Sequence, residues 1–460
     1  MKRLVVISTA IASLLGLWAC GGSKDNPEPE QSSPTDITLS DASISAEQAG
    51  GVYSLTVKAP SRPSIEHKLA WVTVKDGIYN RSTYTITYKI TVDPNLDYQE
   101  RTGEVVVKSG TLSKSLTITQ APRVKPSMPD TDIATSLVTS GATAEAKALY
   151  DFLLSQYGKK TVSAIMANVN WNHDEADKVY AATGKYPAMN CYDFIHILYS
   201  GANWINYSDL KPVTEWADAG GIVSLMWHFN VPKSEGAGTS EVTCTPSETT
   251  FRAKNIFTEG TWERTWFYDQ MDKVADVILA LQEKKIAALW RPFHEAAGNY
   301  YAKKWQGAAW FWWGFDGPEV CKQVWNAMQD YFYEKGIRNL IWVWTAQDYN
   351  GDPTSYGSDY PYYPGDDRVD IVGRDIYGKG ADYNRNEFVS AQTAYPHKMI
   401  TLSECGKDNV TEYGLISDVW EAGAYWSWFM PWYGSNMPGT SWWQDALSCE
   451  NVITRDKVNY

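Results

Sequence analysis

The larger, C-terminal part of the sequence alternates short apolar runs with segments of helical periodicity. Amphipathic stretches lie between several runs, most clearly WFYDQMDKVADVILALQEKK and PEVCKQVWNAMQDYFYEKG. Apolar strands joined by helical crossovers are typical of parallel sheets that are buried on both faces. The pattern predicts a (β/α)8 TIM barrel over residues 131–460, and a doubly wound sheet is the alternative, although no Gly-rich phosphate-binding turn follows the first run. The eight candidate strands are TVSAIMAN, YPAMNCYDF, GIVSLMWHF, KIAALWRPF, NLIWVWTA, VDIVGRDIY, MITLSE and AYWSWFMPW.

Residues 36–122 instead alternate apolar and polar side chains with a period of two. The runs YSLTVKA, YTITYKITV, GEVVVKS and KSLTITQ are strand-like, and no helical pattern interrupts them. This pattern predicts a small all-β sandwich, followed by a proline-bearing linker at residues 123–130. The stretches LAWVTV, DPNLDYQERTGEVVVKSG and SLTITQAP resemble the BACON module, which implies an immunoglobulin-like β-sandwich and carbohydrate binding. Because Trp71 is the only tryptophan in this domain, a spacer role is favoured over sugar binding.

Residues 1–20, MKRLVVISTAIASLLGLWAC, have the features of a secretory signal. Two basic residues precede an apolar run that is too short to favour a membrane span. The segment resembles a bacterial lipoprotein signal with LWAC as the lipobox, which implies lipidation of Cys20, and ordinary cleavage near Ala19 is the alternative. Residues 21–35 are rich in Pro, Gly and Ser and predict a flexible tether. We therefore expect an exported lipoprotein of the outer membrane, on its periplasmic or external face.

Charge and aromatic content restrict the partners of the chain. A net charge of −13 and a pI near 5.0 argue against nucleic acid, which needs basic surfaces, and against charge-driven binding to anionic membranes. The 22 Trp and 29 Tyr residues fit either a large aromatic core or flat platforms for sugar rings. Five cysteines follow Cys20. Their spacing does not suggest a zinc site, and their odd number leaves at least one thiol free.

The ends of the eight runs carry the polar residues of interest, because function in such a barrel lies at the carboxyl ends of the strands. Glu295 follows the fourth run and Glu404 ends the seventh, and these two strands face each other across a barrel of eight. Two converging carboxyl groups suit glycoside hydrolysis, in which one protonates the leaving oxygen and the other attacks or activates water. A single such glutamate would more simply begin a solvated loop. In chain order, the strand-end residues are Asp193, His228, Glu295, Trp344 or Asp348, Tyr377 and Glu404.

Several motifs together resemble glycoside hydrolase family 26. They are WRPFHE with the aromatic block AAWFWWG, and LMWHFN, VDIVGRDIYG, TLSECG and WSWFMPW, each at the expected strand and in the expected order. The family is best known for β-mannanases. It belongs to a clan of retaining (β/α)8 glycosidases with catalytic glutamates on strands four and seven. The resemblance covers most of residues 131–460.

The resemblance implies roles for individual residues. Glu295 would be the general acid/base, and Glu404 the nucleophile that forms a covalent glycosyl-enzyme. Because GNYYAKKWQGA separates the acid from the aromatic block, Trp305 or Tyr300 is an alternative to Trp310. The supporting residues would be His294, which orients the nucleophile region, Tyr377, which hydrogen-bonds the nucleophile, His228 in the subsite of the cleaved sugar, Trp432 as the platform under that sugar, Trp310 on the leaving-group side and Arg291 beside the carboxylates.

The leading hypothesis is a retaining endo-β-1,4-mannanase that hydrolyses mannan, glucomannan or galactomannan by double displacement. A β-xylanase or mixed-linkage β-glucanase of the same family is the first alternative, because the sequence does not reveal how the 2-hydroxyl is recognised. A catalytically inactive glycan-binding surface lipoprotein is the second, although both glutamates are present. The mechanism needs no metal or organic cofactor. The expected partners are the polysaccharide and, through the lipid anchor, a membrane, and we expect a monomer.

Overall fold

The structure is a computed structural model. It describes residues 32–124, 127–129, 131–168, 170–197, 205–298, 309–347, 360–407 and 413–460. The chain forms two compact units that divide after Val124, and each is described by itself. Across these ranges, every helix is too short or too polar to cross a bilayer.

The N-terminal unit consists of two four-stranded sheets. Their orders are β1-β3-β6-β5 and β2-β8-β7-β4, and side chains from both sheets form one core. In β6 the buried residues Ile86, Tyr88 and Ile90 alternate with exposed ones, as the period-two pattern requires. The predicted β-rich domain is thus confirmed, whereas its immunoglobulin-like arrangement stays a prediction. The strands are β1 (Thr38–Leu39), β2 (Ser43–Ala46), β3 (Gly51–Lys58), β4 (Ser64–Glu66), β5 (Val72–Lys75), β6 (Thr85–Val92), β7 (Arg101–Ser109) and β8 (Leu112–Gln120).

Trp71, the only tryptophan among the described residues of this unit, is partly buried and packs against its core. The guanidinium of Arg101 lies 4.5 Å from the centroid of the indole ring. A cation over an aromatic face occupies the surface on which a sugar would stack.

The C-terminal unit is built around a closed barrel. Eight parallel strands follow one another in the order β9-β10-β11-β14-β15-β16-β17-β18, and β18 pairs with β9 to close the ring. These are the eight apolar runs of the sequence, so the predicted (β/α)8 barrel is confirmed. β12 and β13 pair with each other, and β19 pairs with β9. The strands are β9 (Thr161–Met166), β10 (Met189–Asp193), β11 (Ile222–Trp227), β12 (Val231–Pro232), β13 (Val242–Thr243), β14 (Ala288–Pro292), β15 (Leu340–Gln347), β16 (Ile371–Tyr377), β17 (Met399–Gly406), β18 (Trp428–Pro431) and β19 (Val452–Ile453).

Helices connect the barrel strands, and their sequences explain where they begin. Thr143 caps the first helix by accepting a hydrogen bond from Ala146 N, and Thr261 caps the fourth in the same way through Arg264 N. The helices are α1 (Ala144–Gln156), α2 (Asp174–Thr183), α3 (Lys211–Asp218), α4 (Trp262–Glu283), α5 (Trp312–Phe315), α6 (Pro318–Glu334), α7 (Ala381–Ala394), α8 (Ile416–Glu421) and α9 (Thr440–Ser448). Short 3-10 turns span Pro246–Glu248, Ala253–Phe257, Tyr360–Tyr362, Gly434–Asn436 and Arg455–Lys457.

Much of the aromatic content belongs to the barrel core. Eight of the described tryptophans are less than 2% exposed, which favours the core interpretation for these residues: Trp216, Trp227, Trp290, Trp312, Trp313, Trp325, Trp426 and Trp443. The five described cysteines are all free thiols, namely Cys191, Cys244, Cys321, Cys405 and Cys449. Trp310 and Trp432, by contrast, keep part of their surface exposed.

An irregularity in the pairing of β16 with β17 determines which side chains face each other at the mouth of the barrel. The register shifts between Arg374 and Asp375, so that Asp375 lies opposite Glu404. The sequence predicts that strand seven ends at Glu404, but β17 continues to Gly406. Glu404 therefore sits inside a fully buried strand, whereas Glu295 lies three residues beyond the end of β14.

Candidate active site

Two side chains hold the carboxylate of Glu404. Arg291 Nη2 lies 2.5 Å from Oε1, and the phenol of Tyr377 donates a 2.6 Å hydrogen bond to Oε2. Glu404 is only 5% exposed, and Arg291 is also buried. A guanidinium and a phenol that each bind one oxygen stabilise a carboxylate and fix its orientation. Arg291, Tyr377 and Glu404, which the sequence singles out separately, thus form one cluster.

Charges in this cluster perturb the pKa values of both donors. Burial and the neighbouring Glu404 raise the pKa of Tyr377 well above its usual range, so the phenol keeps its proton and remains a donor. Burial alone would lower the pKa of Arg291, but the carboxylates of Glu404 and Asp375 outweigh this effect and raise it. Both donors therefore stay in the protonation state that a carboxylate partner needs.

Asp375 is a third acidic residue of the site, and none of the sequence motifs predicts a role for it. Its side chain is fully buried, and Arg291 Nη1 lies 3.5 Å from Oδ2. Burial and the charge of Glu404 raise the pKa of Asp375 well above its usual range, with a further contribution from Glu295, although Arg291 opposes them. Its position in the motif GRDIY, two residues before Tyr377, is the signal that could have identified it, because residues two apart share a face of a strand.

Glu295 lies in a strained turn between β14 and α5. Phe293 and Glu295 have φ angles of 49° and 50°, which is the left-handed region that side chains other than glycine rarely adopt. The backbone N–H of Glu295 donates to Thr345 O at 3.0 Å. The charge of Glu295 raises the pKa of both Asp375 and Tyr377, which are also the groups affected by Glu404. The two predicted catalytic glutamates therefore act on the same two side chains.

Helix α5 packs closely against this turn. Trp313 Nε1 donates to His294 O at 2.9 Å. At Gly314, a Cβ atom would lie 1.8 Å from Ala296 O, so only glycine permits this approach. The aromatic block WFWWG thus fixes the backbone on both sides of Glu295.

His228 and His294 form a pair of neighbouring imidazole rings beside Arg291. His228 follows β11, and its Nδ1 lies 2.5 Å from Asp193 Oδ2, while its backbone N–H donates to Asp193 Oδ1 at 3.0 Å. The two imidazole rings are 4.7 Å apart at an angle of 80°. Burial lowers the pKa of His294 well below its usual range, and the neighbouring His228 and Arg291 lower it further, so His294 is neutral. Asp193, a strand-end residue with no predicted role, orients His228.

Aromatic rings line the space beside the histidines. The Trp432 ring lies 5.9 Å from that of His228, and Trp432 is partly exposed, as a platform for a sugar requires. Trp310 is 37% exposed. The ring of its neighbour Phe311, for which no role was predicted, lies near both histidines, with centroid distances of 5.0 Å to His294 and 6.0 Å to His228.

Of the remaining predicted residues, the structure describes Trp344, which is not part of this cluster. Trp344 is buried and packs against Tyr363 and Tyr395. Cys20, Tyr300, Trp305 and Asp348 lie outside the described residues. Among the residues that the structure describes, there is no group of three or more His, Cys, Asp or Glu side chains that could bind a metal ion. The site can thus offer acid–base and nucleophilic chemistry by carboxyl groups, flanked by neutral imidazole and aromatic surfaces.

Comparison with known proteins agrees with this geometry. The model of glycosyl hydrolase family 26 matches residues 138–451, which include every described residue of the cluster. The chain belongs to glycosyl hydrolase family 26. The model of the BACON domain, described as a putative N-terminal binding domain, matches residues 61–121 of this family 26 protein.

Curated relatives of the family 26 chain are mannan endo-1,4-β-mannosidases. The enzyme of Thermothelomyces thermophilus is 31% identical over 359 residues, which are 75% of this chain and 66% of the relative. Enzyme A of Piromyces sp. is 29% identical over 68% of this chain and 48% of the relative. The chain thus spans about half to two thirds of the length of these relatives.

Solved structures match the barrel more completely. The family 26 domain of an endo-β-mannanase/endo-β-glucanase from Prevotella bryantii is 53% identical. The match covers 71% of this chain and all of that domain, with a TM-score of 0.69. A β-mannanase from a symbiotic protist of the termite Reticulitermes speratus, complexed with gluco-manno-oligosaccharide, is 31% identical. It covers 72% of this chain and 99% of that one, with a TM-score of 0.59.

Proposed function

We propose that the chain is a retaining endo-β-1,4-mannanase that acts on mannan, glucomannan or galactomannan. The observation that carries the proposal is that the two carboxylate oxygens of Glu404 bind Arg291 and Tyr377 in a buried site. The charge of Glu295 also raises the pKa of Tyr377, so it acts on the same site. A carboxylate that is oriented by a hydrogen bond to each of its oxygens suits attack on an anomeric carbon. The alternative of an inactive binding protein does not require this arrangement.

In the proposed mechanism, Glu295 protonates the leaving oxygen while Glu404 attacks the anomeric carbon, which forms a glycosyl ester and releases the leaving group. Esterification removes the negative charge of Glu404, and Glu295, now a carboxylate, accepts a proton from water. The water oxygen then attacks the anomeric carbon and releases Glu404 as a carboxylate. His228 and Trp432 flank the sugar that is cleaved, and Arg291 and Tyr377 stabilise Glu404 whenever it is charged.

The substrate class is supported by the relatives. The curated enzymes are mannan endo-1,4-β-mannosidases, and the protist enzyme was solved with a gluco-manno-oligosaccharide. A reducing-sugar assay with unbranched mannan, glucomannan, galactomannan, xylan and mixed-linkage β-glucan tests this assignment. We expect the highest kcat/KM on one of the three mannans. A higher kcat/KM on xylan or mixed-linkage glucan would replace mannanase by one of the two alternatives within the family.

The stereochemistry of the product tests the mechanism. In ¹H NMR during early hydrolysis of a manno-oligosaccharide, the new reducing end should appear first as the β-anomer, because two displacements restore the original configuration. Glu404→Ala should abolish hydrolysis while binding to mannan in affinity gels survives. An α-anomer as the first product, or normal turnover by Glu404→Ala, would overturn the assignment.

We also propose that the protein is exported and anchored to the outer membrane through a lipid on Cys20, with the BACON domain acting as a spacer. The lipobox LWAC and the polar tether support the anchor, and the Arg101 guanidinium over Trp71 supports the spacer role. In cells fed an alkyne-labelled fatty acid, the wild-type chain should carry the label and sediment with membranes. The Cys20→Ala variant should do neither, and a labelled Cys20→Ala chain would refute the anchor.

A further inference from the structure

The turn that carries Glu295 is held at its far end by a buried side chain outside the proposed catalytic set. Gln347 is the last residue of β15 and is 6% exposed. Its Nε2 donates a hydrogen bond to Gly298 O. Gly298 N in turn donates to Glu295 O at 3.1 Å and closes the turn. A buried amide therefore fixes one end of the four-residue segment that begins at Glu295.

We propose that Gln347 is a positioning residue for Glu295, which rests on the proposed role of Glu295 as acid/base. β15 contacts the turn at two points: Thr345 O accepts from the backbone N–H of Glu295 at 3.0 Å, and Gln347 binds Gly298 O. The first contact fixes where the turn begins, and the second fixes where it ends. Strand β15 is paired with β14 and β16 in the barrel, so it provides a stable reference for the acid.

The turn needs such anchors because its backbone is strained. Phe293, Glu295 and Gly298 all have positive φ angles, of 49°, 50° and 53°. A residue other than glycine persists in this conformation only where its surroundings enforce it. Helix α5 enforces it before and within the turn, through Trp313 Nε1 on His294 O and the close approach of Gly314. The end of the turn depends on Gln347.

If Gln347 positions Glu295, its loss should slow only those reactions that need Glu295 as an acid. If Gln347 is lost, the turn can relax and the carboxyl group of Glu295 moves away from the leaving oxygen, whereas Glu404 on β17 is unaffected. A displacement of about 1 Å can cost roughly 100-fold in rate. The rate should fall for substrates whose leaving group is a sugar, because the departing oxygen needs a proton. It should not fall for substrates that release dinitrophenolate, which leaves without a proton.

The test uses Gln347→Met, which keeps the length and burial of the side chain but removes its donor. For manno-oligosaccharides we expect kcat/KM to fall by roughly 10- to 100-fold. For 2,4-dinitrophenyl β-mannobioside, kcat/KM should change less than about threefold, because glycosylation then needs no acid. Breakdown of the glycosyl-enzyme still needs Glu295 as a base, so sodium azide, which attacks without a base, should raise kcat of the variant and yield mannobiosyl azide.

Gln329→Met is the matched control. Gln329 is buried on α6, and its Nε2 donates to the backbone carbonyl of Arg368 at 3.1 Å, so this variant loses the same kind of hydrogen bond outside the site. It should retain wild-type kcat/KM on both substrates and show no response to azide. If Gln347→Met does not fold, Gln347→Asn carries the same comparison, since its shorter amide cannot span the same distance to Gly298.

The outcomes separate this inference from the proposed function. An equal fall of kcat/KM on both substrates, or no fall on oligosaccharides, would refute a positioning role for Gln347. A wild-type chain that hydrolyses neither substrate would instead refute the proposed mannanase activity. A loss confined to the oligosaccharides, together with azide rescue, would establish that Gln347 acts through Glu295.

Discussion

The hydrogen bond from Tyr377 to Glu404 leads to a quantitative prediction for the Tyr377→Phe variant. The phenol donates a 2.6 Å hydrogen bond to Oε2, and removing it leaves that oxygen without this donor in a buried site. A hydrogen bond to a charged group contributes about 1.5–3 kcal/mol. In the glycosyl-enzyme Glu404 is an uncharged ester, to which the same bond is weaker. The substitution therefore destabilises the free carboxylate more than the ester.

The equilibrium between the two states should shift toward the ester by at most roughly 10- to 150-fold, the factor that corresponds to losing the full 1.5–3 kcal/mol. We expect the glycosyl-enzyme of Tyr377→Phe to accumulate and kcat to fall. Because the pKa of Tyr377 lies well above its usual range, wild-type Tyr377 keeps its proton, and the difference between the two proteins should hold between about pH 5 and 9.

The assay is rapid mixing with 2,4-dinitrophenyl β-mannobioside, followed by acid quench and intact-mass measurement. The variant should show a burst of dinitrophenol close to one per active site and a mass increase of one mannobiosyl unit. Tyr150→Phe is the control, since Tyr150 donates a 2.7 Å hydrogen bond to Ala134 O outside the cluster, and its kinetics should match the wild type. A Tyr377→Phe variant with reduced kcat but without burst or labelled protein would refute the reasoning.

Three further predictions follow from single contacts. Gly314→Ala places a Cβ atom 1.8 Å from Ala296 O, so we expect kcat/KM on mannan to fall at least about 10-fold and Tm to drop, as measured by reducing-sugar assay and calorimetry. Burial raises the pKa of Asp370 from 3.8 to about 6, so its ionisation costs stability as pH rises through this range. The unfolding free energy of the wild type minus that of Asp370→Asn should fall by up to about 3 kcal/mol between pH 4 and 7 in urea titrations, and a flat difference would contradict this. Asp193→Ala removes both hydrogen bonds to His228 and should lower kcat/KM at least about 10-fold, whereas unchanged kinetics would show that His228 needs no orientation.

The barrel was predictable because its signal is local. Each of the eight strands is an apolar run, and α4 and α6 have clear helical periods, so hydrophobic periodicity alone places them. The extent of β17 was not predictable in the same way. A glutamate is an unusual residue inside a buried strand, and only the contacts with Arg291 and Tyr377, which come from other strands, compensate for burying Glu404.

The site was predictable in part, for a related physical reason. Motifs identify residues that lie next to one another in sequence, such as His294 and Glu295. The partners of Asp193, Asp375 and Phe311 became visible only in three dimensions, because each of these residues contacts a side chain that is distant in the chain. The positioning of Glu295 by β15 and α5 is of the same kind, since it depends on backbone angles and on carbonyl groups that no sequence motif encodes.

The closure of the barrel has a consequence for its synthesis. β9, the first barrel strand, pairs with β18 and β19, and Ser163 Oγ donates to Ile453 O across 290 positions of the chain. Contacts this distant form late, because a long segment must be ordered before they can stabilise it. During translation, one edge of β9 therefore stays unpaired until its partner strands β18 and β19 have been synthesised. A chaperone that protects the nascent chain would find this edge open until both strands have been translated.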